Sequence, residues 1–99
     1  MDWQSRMGED EISLRKLVER LSTVKGRGLR SRIERKRIVH TLSRKITDAH
    51  TFVEECLLGR NADEKYVMEY QIRMRFPLFS HLDSLFSMTE SVFPDSNCA

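Results

Sequence analysis

The chain has 99 residues, formal net charge +2, 39% hydrophobic and 32% charged residues. That is room for one domain with a limited core, and chains of this size often complete their apolar burial by oligomerising or joining a complex. No apolar run approaches a membrane span, the N-terminus lacks a signal peptide's apolar centre, and Cys56 and Cys98 do not suggest a stabilising disulfide. A soluble intracellular protein with reduced thiols, nuclear or cytoplasmic, is therefore expected.

Residues 1–8 carry no periodicity and are expected to be disordered, with Trp3 either disordered or covering the domain's own edge; the alternative is an anchor on a partner. From Asp10 the pattern changes. Glu9, Asp10 and Glu11 would crowd a first helical turn and complement its dipole, and Leu14, Leu17, Val18, Leu21 and Val24 follow at helical spacing, predicting a helix over about 10–25. Gly26 and Gly28 supply a stop and a turn. Lys25-Gly26-Arg27-Gly28 follows no strand and lacks the spacing of a Walker A or dinucleotide loop, so it reads as a hinge. So short a connection folds the first helix back on the second as an antiparallel hairpin.

The second helix, predicted over 29–58, has a charged front and an apolar back. Lys25, Arg27, Arg30, Arg32, Arg35, Lys36, Arg37, Arg44 and Lys45 face a single acid, Glu34, while the rest of the chain is net acidic. A concentrated basic stripe steers anionic partners whatever the total charge; the alternative is a solvated face. Behind it, Val39, Leu42, Ile46, Ala49, Val53 and Cys56 alternate by three and four residues, forming one stripe of a and d positions. Carried backwards, that register puts Arg32 and Arg35 on the seam, where they must project or pair with anions. Ile38, Phe52 and Leu57 widen the stripe beyond a two-stranded seam, which favours a bundle. Glu34-Arg35-Lys36-Arg37 resembles the Glu-Arg-x-Arg core of the basic helix-loop-helix proteins. The resemblance implies a glutamate that reads base edges and arginines that hold phosphates. It covers four residues, and the downstream apolar positions depart from that family's pattern.

Gly59 ends this helix and Arg60-Asn61-Ala62-Asp63 forms a capped turn. Tyr66, Met68, Tyr70, Ile72, Met74 and Phe76 then alternate with mostly polar residues, which is the period of a strand. Gln71 to Pro77 resembles the strand of ribbon-helix-helix repressors, which would imply an intersubunit ribbon in the major groove; that family needs two following helices, and one is visible. Because the chain offers no partner strand, the segment is assigned as a helix over 63–76, with a single strand at 66–76 as the alternative. Pro77 can open a last helix over 78–93, with Leu78, Phe79, Leu82, Leu85 and Phe86 on its apolar side and Val92 and Phe93 as further candidates. Pro94 to Ala99 is expected to fray.

The fold class is therefore mainly α: a helical hairpin plus C-terminal helices, in a small bundle completed by oligomerisation or a partner. His40, His50 and His81 are dispersed, neither cysteine has ligand spacing, and no nucleophile elbow or paired-carboxylate motif appears. A non-enzymatic protein is expected, with no metal, cofactor or small-molecule substrate. The leading functional expectation is an oligomerising regulatory protein, a homodimer or a partner of another helical protein. Its basic residues Arg27, Arg30, Arg32, Arg35, Lys36, Arg37, Arg44 and Lys45 bind nucleic acid. Aromatics are absent from this stretch, which favours phosphate contacts to a duplex over stacking on unpaired bases. Val39, Leu42, Ile46, Ala49, Val53, Cys56, Leu82, Leu85 and Phe86 are assigned to the oligomer or partner interface. The alternative is a subunit of a protein complex whose basic stretch meets an acidic protein or serves as a nuclear-import signal.

Overall fold

The computed structural model describes residues 2–92, with side chains described through residue 87 and at 89. Five helices follow one another: α1 (Trp3–Thr23), α2 (Leu29–Leu57), α3 (Ala62–Arg75), α4 (Pro77–Ser80) and α5 (Leu82–Val92). No strand occurs among the described residues. The expectations for Phe93, Cys98 and the tail from Pro94 to Ala99 lie outside the described residues, as does the side chain of Val92.

α1 begins at Trp3, about two turns ahead of Asp10, so residues 3–8 are helical and not disordered. Asp2 is its N-cap, the carboxylate accepting from the Gln4 N–H at 3.2 Å. Gly8 lowers helix propensity and interrupts the apolar period, but the burial of Met7 (0% exposed) and the packing of Trp3 against the core override it. Trp3 also walls an open cleft of about 310 Å³ lined by Arg60, Asp63, Glu64, Val67, Met68 and Gln71. The earlier start moves Glu9, Asp10 and Glu11 out of the first turn, which holds no acid.

Glu11 has a different role. It lies on the apolar stripe between Met7 and Leu14, is buried, and accepts hydrogen bonds from the backbone N–H of Leu78 at 3.1 Å and of Phe79 at 3.3 Å. Those are free amides at the start of α4, where Pro77 has no N–H to offer. Arg15, one turn on, donates to the same carboxylate at 3.1 Å. A carboxylate of α1 thus caps a helix that begins sixty-odd residues later, and this joins the two halves of the chain.

α1 stops at Thr23, and Gly26, at φ 108°, makes the turn that L side chains rarely adopt. α2, whose 29 residues span about 44 Å, buries Ile38, Val39, Leu42, Ile46 and Ala49. Opposite lie Met7, Leu14 and Leu17, with Val18 and Leu21 partly covered. Contacts between the helices run in opposite chain order: Arg20 meets Glu34 at 3.2 Å beside the turn, and the Arg6 guanidinium lies 4.1 Å from the Phe52 ring centroid at the far end. Each fully buried aliphatic side chain here contributes about 1.5–3 kcal/mol over leaving it in water.

Gly59, at φ 78°, follows the end of α2, and α3 opens with a reciprocal capping box. The Asn61 side chain accepts from the Glu64 N–H at 2.8 Å, and the Glu64 carboxylate accepts from the Asn61 N–H at 3.4 Å. Asp63 and Glu64 in the first turn and Arg73 and Arg75 in the last suit the helix dipole. The strand-like alternation resolves into two ladders, each spaced by four residues: Met68, Ile72 and Phe76 are buried, whereas Tyr66, Tyr70 and Met74 are exposed. The helix ends at Phe76 because Pro77 disfavours helical backbone in the residue before it. The Phe76 and Phe79 rings then meet edge to face, centroids 6.3 Å apart. Leu82 and Leu85 of α5 complete the core alongside α2.

Candidate nucleic-acid interface

The basic stretch divides into three groups once it is wound on α2. Arg30, Arg37 and Arg44 recur every seven residues along the outer face, about 21 Å from first to last, with Lys36 and His40 beside them; all five are exposed. Arg27 stands exposed in the turn just ahead of that line. Arg32 and Lys45 lie on opposite flanks of the helix, nearer the edges of its buried stripe. Among the described residues, none of Arg27, Arg30, Arg32, Lys36, Arg37, Arg44 and Lys45 has a salt-bridge or hydrogen-bond partner for its side chain.

Arg35 differs from its neighbours. Half-buried on the inner side, as its seam position implies, it donates from Nη1 to the Gly26 carbonyl at 3.0 Å and ties α2 back to the turn. Beside it, the Ser31 hydroxyl donates to the Lys25 carbonyl at 3.0 Å. Arg35 thus neither projects nor pairs with an anion: its partner is a neutral peptide carbonyl of its own chain. Glu34 is likewise engaged, by Arg20. The roles that the basic helix-loop-helix resemblance implies for Glu34 and Arg35 are therefore already taken up by contacts within the chain, leaving Lys36 and Arg37 outward-facing.

Most residues assigned to an oligomer or partner seam are consumed inside one copy. Leu42 is 0% exposed and Val39, Ile46, Ala49, Leu82 and Leu85 are also buried, while Val53 and Cys56 pack against the same core. Sequence periodicity locates a buried stripe without saying whose atoms bury it, and here α1 and α5 do so. Phe86, 41% exposed, is the member of the set that keeps a large open face. Burial pushes the Cys56 thiol above its ordinary pKa, against the lowering pull of Arg60 and Arg6. The reactive thiolate is thereby disfavoured.

His50 makes the expected pair with Glu54 one turn on, Nδ1 to carboxylate 3.1 Å, and its Nε2 lies 3.9 Å from Asp83 of α5. A feature that sequence reasoning missed is the outer face of α3, where Tyr66, Val67, Tyr70 and Met74 are all more than half exposed. Its signal was the four-residue spacing of Tyr66, Tyr70 and Met74, masked by the overlaid period of two. Compared with protein-family models, curated proteins and solved structures, the chain matches none.

Proposed function

We propose that the chain is a non-enzymatic, oligomerising regulatory protein, an antiparallel hairpin of α1 and α2 that presents the outer face of α2 to the phosphates of a nucleic-acid duplex. The Arg20–Glu34 and Arg6–Phe52 contacts, at opposite ends of the pair, support the hairpin. The contrast between two sets of arginines supports the binding role. Arg6, Arg15, Arg20, Arg60 and Arg75 each engage a group within the chain. Arg30, Arg37 and Arg44, aligned on one side of α2, and Arg27 in the turn ahead of them engage none among the described residues; Arg32 and Arg73 engage none either but stand off that line. Side chains so placed are free to release counterions from a polyanion, and with no aromatic interleaved between them they suit phosphates rather than unstacked bases.

With Lys36 added, about five phosphates would be neutralised, and log affinity for duplex DNA should fall with log salt at a slope of about −4 to −5. Arg37→Ala should weaken binding evenly across sequences and reduce that slope by about one. Arg35→Ala should act mainly on the turn, and belongs in a stability measurement rather than a binding one. No detectable duplex binding at low salt, with the fold intact by circular dichroism, would end this reading.

A second reading, a protein-complex subunit whose basic stretch meets an acidic protein, draws on Leu29 and Ile33, which are exposed among the arginines. It predicts that Ile33→Ser weakens capture by the partner, whereas a phosphate-binding face should tolerate it.

A further inference from the structure

We infer that the outer face of α3 docks against the same face of a second copy of this chain, the two helices running antiparallel about a two-fold axis near Tyr70. This deepens the oligomeric part of the reading above and rests on that part alone; nucleic-acid binding by α2 stands or falls separately.

The face is an apolar surface left open after the chain has buried its core. Tyr66 is 73% exposed, Met74 66%, Tyr70 54% and Val67 53%. On a helix these four share one side, and together they present roughly 500 Å² of mostly apolar surface, the size of the largest patch on a typical monomer, which is often functional. With a polar rim the area is of the order of the roughly 800 Å² per partner that a specific interface buries. Tyrosine and methionine are also among the side chains enriched at such interfaces.

The rim identifies the partner. Glu69 and Arg73 lie along one flank of the face, and neither forms a salt bridge among the described residues, although they stand one turn apart. When two helices pair antiparallel, each flank meets the same flank of its partner. With Tyr70 opposite Tyr70, Glu69 of one copy falls within reach of Arg73 of the other, and the axis makes the pair twice. Tyr66 likewise falls opposite Met74. Charge and shape are thus complementary to their own two-fold image, as an isologous interface requires. The opposite rim is already occupied within the chain, because Arg75 donates to the Gln4 side chain at 2.6 Å and Glu64 belongs to the capping box.

Sedimentation equilibrium of the full chain, from micromolar to near-millimolar concentration, tests this. The wild type should approach twice the 11.7 kDa chain mass. Tyr70→Glu and Tyr66→Glu should each raise the dimer dissociation constant about tenfold or more with helix content unchanged. Glu69→Arg should weaken the dimer, and Glu69→Arg with Arg73→Glu in the same chain should restore it, a rescue that only a second copy can provide. A wild type that stays monomeric throughout overturns the inference, and a monomer that holds a different protein through Tyr70 assigns the face to that partner instead. A dimer indifferent to both tyrosine variants overturns it equally. Duplex binding measured on the same samples shows whether the α2 reading survives.

Discussion

A carboxylate on the apolar stripe of α1 would ordinarily be costly, since burial strips it of water. At Glu11 the loss is offset by the Leu78 and Phe79 amides and by Arg15, all within 3.3 Å. Glu11→Ala removes the acceptor and leaves two amides at the start of α4 without one, so it should destabilise the fold by about 2 kcal/mol or more. Glu11→Gln, which keeps one acceptor oxygen, should cost less, and urea denaturation of the three proteins gives the order directly. Equal stability of wild type and Glu11→Ala would show that α4 needs no cap from α1. Gly8 offers the opposite case. Its backbone is helical and an added Cβ would meet the Phe76 ring at 3.7 Å, an ordinary contact. Gly8→Ala should therefore stabilise the protein by about 0.5–1 kcal/mol, read as a raised urea midpoint; a lowered midpoint would mean that the Phe76 ring has no room to share.

Elements whose punctuation is local were legible in the sequence. Gly26, Gly28 and Gly59 bracket α2, and the capping chemistry around Asn61 together with Pro77 brackets α3, because these residues act through their own backbone or a neighbour a few residues away. The start of α1 was not legible. Its cap is a single Asp2, and a glycine stands where the period should continue; what holds the first two turns is burial of Met7 and Trp3 by distant residues. The part played by Glu11 was hidden for the same reason, since its partners stand 67 and 68 positions away. In α3 the period of two pointed to a strand, and the absence of a partner strand in the chain overruled it. The candidate interface was legible as a basic stretch but not as a geometry. Winding it on a helix separates outward-facing Arg30, Arg37 and Arg44 from Arg35, whose position on the apolar seam carried that warning in advance.

For the molecule as a whole, the division between core and surface decides what a substitution does. Extents of 50 × 26 × 20 Å and a radius of gyration of 15.5 Å, against about 13 Å for a compact domain of this length, describe an elongated body set by the long α2. Such a shape buries little per residue, so every core position counts. Ile46, 3% exposed in the middle of α2, belongs to the core that joins α1, α2 and the C-terminal helices. Ile46→Asp places an uncompensated carboxylate there, worth several kcal/mol against a total stability of about 5–15 kcal/mol. It should unfold the chain rather than release a folded monomer. Tyr70→Glu, on an open face, should do the reverse and lower the mass while leaving the helices intact. Circular dichroism and light scattering on the pair separate the two surfaces: loss of helix with Ile46→Asp is the expected result. A folded Ile46→Asp monomer from a dimeric wild type would instead move the subunit interface onto α2.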